Sequence, residues 1–224
     1  MSADTWPEWE RVLSAAAHLQ DVLPGTTLVG GTAAAVYAGH RVSYDADHVL
    51  GDLRERFDEV LAQLESVAGW QTARVKRPVL ILGSLDGIET GVRQLIRDQP
   101  LETVEVEIGG ICLVVPTQSE MLRIKAVLIL KRNATRDYLD FVALAEHMGS
   151  DAVFGAIARL DGLYPQPSGE SVLQQLQVQL ARPLPYDLDE MNLAEYRRLD
   201  PKWHHWTRVT LTCAEIAAEI FRRL

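Results

Sequence analysis

The chain has 224 residues, of which 47% are hydrophobic and 24% charged, enough for one large domain or a core with an appendage and too apolar for a disordered chain. A net charge of −9 argues against broad, sequence-independent nucleic-acid binding, which relies on phosphate neutralisation. No apolar run is long enough to span a bilayer, the stretch Met1–Arg11 lacks a basic leader region, and Cys112 and Cys213 lack metal-ligand spacing, so a cytoplasmic chain without membrane partners or metal-binding cysteines is expected.

Thr5 to Leu23 reads as a first helix, with Pro7 in its opening turn and Pro24-Gly25 as its stop. A short strand, Thr27–Val29, leads into Gly30-Gly31 and a small apolar helix from Thr32 to Gly39. Ser43 to Leu50 reads as a second strand. Asp52-Leu-Arg-Glu55 has a capping-box pattern, and Leu53, Phe57, Val60, Leu61, Leu64 and Val67 follow at helical spacing, closed by Gly69.

Three extended segments come next: Trp70–Lys76, Val79–Leu82 and Ile88–Ile96, the last two joined by an Asp86-Gly87 turn. Thr103–Ile108 and Ile111–Val115 flank Gly109-Gly110, a hairpin signal. Thr117-Gln-Ser-Glu120 is a second capping box opening a helix to Arg132, and another runs from Thr135 to Met148. Beyond Gly149 the pattern is helical and broken by prolines. The expected fold is mixed α/β (α+β): a core over residues 1–149, its mixed sheet flanked by helices, then a helical C-terminal region over 150–224.

Gly30-Gly31, between a strand and a helix, suits either a backbone cradle for phosphate or close helix packing. In a strand, Asp45 and Asp47 share one face. Two adjacent carboxylates repel, and a divalent cation would offset that; Mg2+ takes one or two carboxylates plus phosphate and water oxygens. The alternative is a solvent-facing edge strand. A zinc set of His40, Asp45, Asp47 and His48 fits less well, because His48 lies on the opposite strand face. Lys125 has Met121, Leu122, Leu128 and Ile129 as its helical neighbours; its ammonium either snorkels to water or is aimed at an anion or an acidic cluster. Asp137 and Asp140 share a face of the following helix. Basic clusters occur at Arg74, Lys76 and Arg77, at Arg93 and Arg97, and at Lys131, Arg132 and Arg136.

Taken in order, Leu28-Val-Gly-Gly-Thr32, Gly39-His-Arg-Val-Ser-Tyr-Asp-Ala-Asp47, Ile124-Lys-Ala126 and Arg132 followed by Thr-Arg-Asp-Tyr-Leu-Asp140 resemble the AbiEii/AbiGii-type nucleotidyltransferase toxins. These are a branch of the DNA polymerase beta-like nucleotidyltransferase superfamily. The resemblance runs from about Leu28 to His147. It implies a magnesium-dependent transfer of a nucleoside monophosphate from a nucleoside triphosphate to a tRNA or protein acceptor, within a toxin-antitoxin or phage-defence pair that includes a cognate antitoxin. Asp45 and Asp47 are implied metal ligands, and Lys125 an implied nucleotide contact. Arg136, Asp137 and Asp140 match a further motif, with Asp137 the candidate for a role near the acceptor.

The family's Gly-Ser turn falls on Gly30-Gly31, so its hydroxyl contact is lost or passes to Thr32 or Ser43. A third carboxylate on a later strand is assigned to Glu89, with Asp86 as runner-up; Glu105 and Glu107 fit a solvated face. Two other readings share these residues: a small-molecule, antibiotic-type nucleotidyltransferase whose tail, Ser168–Leu224, forms the acceptor pocket, with Trp203, His204, His205 and Trp206 either lining it or, as the favoured role, packing helices, and a catalytically degenerate nucleotide-binding module.

Overall fold

The computed structural model describes residues 7–224; Thr5 and Trp6, assigned above to the first helix, lie outside the described residues. The chain is mixed α/β, as its patterning predicts, and separates into two units. One comprises the residues up to Val36 together with Val42–Thr117, and the other Tyr37–Arg41 with Gln118–Leu224. The division thus falls at Thr117/Gln118 rather than at residue 149. The two helices that follow Thr117 are buried on nearly every face by other helices, so they belong with the helical unit.

In the first unit, α1 (Pro7–Val22), β1 (Thr27–Leu28) and α2 (Gly30–Ala38, whose last two residues fall in the second unit) precede β2 (Asp45–Leu50) and α3 (Phe57–Glu65). Then come β3 (Trp70–Lys76), β4 (Leu80–Leu85), β5 (Ile88–Gln94), β6 (Thr103–Ile108) and β7 (Ile111–Pro116). The five-stranded sheet has the order β1-β2-β5-β4-β3, and β6 and β7 form a separate two-stranded sheet. β2 runs parallel to β5, while the β1–β2, β4–β5 and β3–β4 pairs are antiparallel. The turns at Asp86-Gly87 and Gly109-Gly110 take positive φ throughout (54° and 79°, 59° and 82°), the conformation that a two-residue hairpin demands.

The period of two sorts each strand. Leu50, Ile81, Leu85 and Val92 pack beneath Leu19 of α1, Leu23 just after it, and Phe57, Val60 and Leu64 of α3. Burial of these side chains, worth about 1.5–3 kcal/mol each, commits one sheet face to the core. Gln20 of α1 extends the pairing of β7: Val114 donates its N–H to Gln20 Oε1 (2.9 Å) and accepts from Gln20 Nε2 (2.8 Å).

The capping box read at Asp52 is not formed. Its helix begins one turn later, at Phe57, with no side-chain cap on Arg56; instead Arg56 pairs with Asp52 and Glu59 at 3.2 and 3.0 Å. The apolar periodicity is satisfied either way, because Leu53 is buried from the preceding turn.

The second unit contains α4 (Gln118–Arg132), α5 (Thr135–Met148), α6 (Ser150–Ile157), α7 (Leu160–Leu163), α8 (Val172–Ala181) and α9 (Trp206–Arg223). α4 packs against α5, α6 and α8, which explains why its Glu120, Arg123 and Lys125 are buried along with its apolar residues. Trp203 is fully buried, and Trp206 sits edge-to-face on Tyr138 (5.8 Å, 82°), so both aromatics serve helix packing. Among the described residues no helix is long and apolar enough to cross a membrane.

Candidate active site

The face of the sheet opposite α1 and α3 carries the carboxylates singled out in the sequence. Ala46, His48 and Leu50 of β2 turn into the interior, and the alternation leaves Asp45, Asp47 and Val49 half-buried on the other side. The parallel register sets Asp45 beside Glu89 and Asp47 beside Gly91, and laterally paired residues share a face. Three carboxylates, two from β2 and one from β5, therefore line one patch of sheet, with Glu89 exposed. Asp86 lies in the hairpin turn instead, where it meets His18 at 3.2 Å, and Glu105 and Glu107 are exposed on β6.

The two glycines start a helix rather than precede one. Gly30 is the first residue of α2 and takes φ +77°; a Cβ there would stand 3.4 Å from both the Cβ and Oδ2 of Asp47. Gly30 thus brings the positive end of a helix against an aspartate without strain. Ser43 donates to Asp45 Oδ1 (2.6 Å) and Thr32 to the Asp45 carbonyl (2.5 Å). Both hydroxyls are buried and turned toward Asp45, fixing its side chain and backbone. Val29 N–H donates to the Asp47 carbonyl (2.8 Å).

On the opposite strand face, His48 is fully buried; desolvation pushes its imidazole down to about 4 in spite of its backbone contacts. It is neutral, with Nδ1 donating to the Ala46 carbonyl (3.1 Å). His40 belongs to the second unit and is held on Asp140. The set of two histidines and two aspartates that a zinc reading needs is therefore split between opposite strand faces and different units.

Among the described residues, no three His, Cys, Asp or Glu side chains form a ready-made metal cage. The donors nevertheless suit Mg2+, which rarely uses an all-protein cage and binds through one or two carboxylates with phosphate and water oxygens. Asp45 and Asp47 are such a pair, and Glu89 lies beside the first.

Lys125 and Asp137 lie in the second unit, within a buried ionic network. Lys125 Nζ is 2.7 Å from Asp140 Oδ2 and 3.2 Å from Asp137 Oδ1. Arg41 grips Asp140 with two bonds, Nε to Oδ1 at 2.7 Å and an Nη to Oδ2 at 3.0 Å. His40 Nε2 donates to the same carboxylate at 2.7 Å. Burial alone would raise the Asp140 carboxyl; Arg41, Lys125 and His40 outweigh it and hold the group well below the usual carboxylate range. Desolvation lowers His40, which is therefore neutral here, and Asp140 opposes that shift only in part. Arg41 and Asp140 escape a motif search as partners because 99 residues separate them. Arg136 is exposed on α5.

Arg93, which the sequence shows only as part of a basic cluster, also reaches this patch. It lies on β5 two residues beyond Gly91, and its Nε is 3.6 Å from Asp47 Oδ1. The signal was present: Glu89, Gly91 and Arg93 alternate along a single strand. Its neighbour in the basic cluster, Arg97, is committed to a loop, donating to the Gln99 and Pro100 carbonyls (2.8 and 2.7 Å).

No protein-family model matches the chain. Part of it is similar to heme uptake protein MmpL11 of Mycobacterium tuberculosis, 35% identical over 99 residues covering 43% of this chain and 10% of that protein. Part is also similar to the mycolic acid-containing lipids exporter MmpL11 of Mycolicibacterium smegmatis, 32% identical over 124 residues covering 54% of this chain and 13% of that protein. The chain thus spans only about a tenth of the length of these curated relatives.

Solved structures match over far more of the molecule. Helicobacter pylori JHP933 covers 96% of this chain and 91% of its own, at 15% identity and a TM-score of 0.54. A candidate nucleotidyltransferase from H. pylori covers 98% and 97%, at 15% identity and a TM-score of 0.56. The antibiotic-resistance factor ANT(2'')-Ia covers 69% and 90%, at 15% identity and a TM-score of 0.50. At these identities the likeness is one of architecture: the chain has a nucleotidyltransferase-like fold, a mixed sheet flanked by helices and followed by a helical region.

Proposed function

We propose that this chain is a magnesium-dependent nucleotidyltransferase of the AbiEii-like kind, moving a nucleoside monophosphate from a nucleoside triphosphate to a hydroxyl of a tRNA or protein. In this reading it is the toxin of a toxin-antitoxin or phage-defence pair, with a cognate antitoxin as partner. The observation that carries the chemistry is the carboxylate patch: Asp45, Asp47 and Glu89 on one sheet face, with the first turn of α2 against Asp47.

Asp45 and Asp47 would hold Mg2+, which when bound supplies positive charge to the phosphate oxygens. Ser43 keeps Asp45 in one orientation. The backbone at Gly30, with no Cβ in the way, offers the N-terminal end of α2 to the triphosphate. Glu89 accepts the proton of the acceptor hydroxyl at a carboxylate oxygen as the acceptor oxygen bonds to the α-phosphorus. The bond from that phosphorus to the α,β-bridging oxygen breaks, and pyrophosphate leaves. Positioning and electrostatics carry most of such a reaction. Arg74 and Lys76, exposed on β3, would attract an acidic acceptor.

A second reading, transfer to a small-molecule hydroxyl as in antibiotic inactivation, draws support from the likeness to ANT(2'')-Ia. One experiment separates the readings: incubate the protein with each labelled nucleoside triphosphate and Mg2+, adding in turn total RNA, cell lysate and a panel of aminoglycosides. Label in RNA or protein, lost in Asp45→Asn and Glu89→Gln, supports the first reading, and label on an aminoglycoside the second. Nucleotide binding without transfer to any acceptor overturns both and leaves a catalytically degenerate binding module.

A further inference from the structure

We infer that Arg93 is a cation that serves this site: it offsets the charge of Asp47 when no divalent ion is bound and engages the triphosphate when one is. This inference rests on the nucleotidyltransferase reading above. Lys125, the cation that the sequence pattern suggests for phosphate, has its ammonium on Asp140 and Asp137 and is buried. Moving it would leave the buried Asp137 carboxylate uncompensated and take one of two cations from Asp140. Arg93 has no such restraint. Its side chain is 41% exposed and Asp47's is 34% exposed.

The register explains how Arg93 reaches. Directly across from Asp47 stands Gly91, which has no side chain. Arg93, two residues further along the same face, extends diagonally toward Asp47, and this diagonal spacing is within reach of a long side chain. At 3.6 Å the contact is an ion pair longer than a hydrogen bond, so little is lost when the guanidinium swings away. A divalent ion at Asp45 and Asp47 competes for the Asp47 carboxylate and displaces the guanidinium from it. The freed guanidinium, with planar paired donors, matches a phosphate group.

The test uses the full chain and its Arg93→Ala and Arg93→Lys variants. Mn2+ binding is followed by electron paramagnetic resonance, without nucleotide and then with a non-hydrolysable triphosphate. In Arg93→Ala, Mn2+ alone should bind about threefold more tightly, as expected for loss of a half-exposed competing charge. Triphosphate binding in the presence of Mn2+ should weaken roughly tenfold, the scale of one charge-assisted bond. Arg93→Lys should fall between the two proteins. The inference is overturned if the parent binds both ligands and Arg93→Ala binds each as the parent does. A parent that binds neither Mn2+ nor triphosphate overturns the nucleotidyltransferase reading itself and this inference with it.

Discussion

Replacing Asp140 with asparagine tests the buried network most directly. The substitution preserves shape and removes one charge. In the parent, a single fully buried carboxylate accepts two bonds from Arg41 and one from His40, and pairs with Lys125 at 2.7 Å. Asparagine leaves one oxygen to accept and turns an amide N–H₂ toward cationic donors. Arg41 loses its carboxylate partner and Lys125 keeps only Asp137, at 3.2 Å. Breaking a buried ion pair from one side costs about 3–5 kcal/mol, so the variant should lose that much in urea unfolding followed by circular dichroism. The exposed pair of Arg56 with Glu59 provides the control, since Glu59→Gln should scarcely move the transition. pH adds a sign. Because the folded Asp140 carboxyl lies below its ordinary value, its contribution is fully present above about pH 4 and is lost as pH falls through the depressed folded value. The gap between parent and variant should therefore close in acid. A loss below about 1 kcal/mol at neutral pH, the scale of a surface pair, would refute the account of the network.

His48 predicts a second pH dependence. The unfolded imidazole takes up a proton near its ordinary ~6.5, whereas the folded one resists until about 4. Its contribution is thus present above ~6.5 and lost toward 4, about 3 kcal/mol in all. His48→Asn, which retains a donor for the Ala46 carbonyl, should flatten the fall in unfolding free energy between about pH 7 and about pH 4; an unchanged slope would sink the assignment. Gly91→Ala should cost about 1–3 kcal/mol, because its Cβ would stand 2.5 Å from the Ile81 carbonyl oxygen and 2.7 Å from the Leu82 side chain. Thermal denaturation measures this, and an unshifted midpoint would mean that β4 and β5 are not held at that spacing.

Local chemistry was legible in the sequence wherever a short-range rule governs it. Asp86-Gly87 and Gly109-Gly110 predict hairpins because few residues accept positive φ twice in succession, and both hairpins are present. The alternation of Ser43 to Leu50 predicts that Asp45 and Asp47 face away from His48, and the period of two ensures it. The capping pattern at Asp52 misled because Arg56 draws both Asp52 and Glu59 to itself. The pair Gly30-Gly31 read as a turn before a helix, whereas the helix includes both residues.

The sequence by itself determined the mixed α/β class, the two hairpins and the paired aspartates, since each follows from the backbone preferences and periodicity of neighbouring residues. Only the tertiary structure decided that β5 lies beside β2 in parallel, so that Glu89 stands next to Asp45 and Arg93 reaches Asp47. The same is true of Lys125, whose charge is answered inside the helical unit by Asp137 and Asp140, the latter also gripped by Arg41 from 99 residues away. Strand order and buried charge pairing depend on contacts between residues far apart in the chain, and no local preference encodes them.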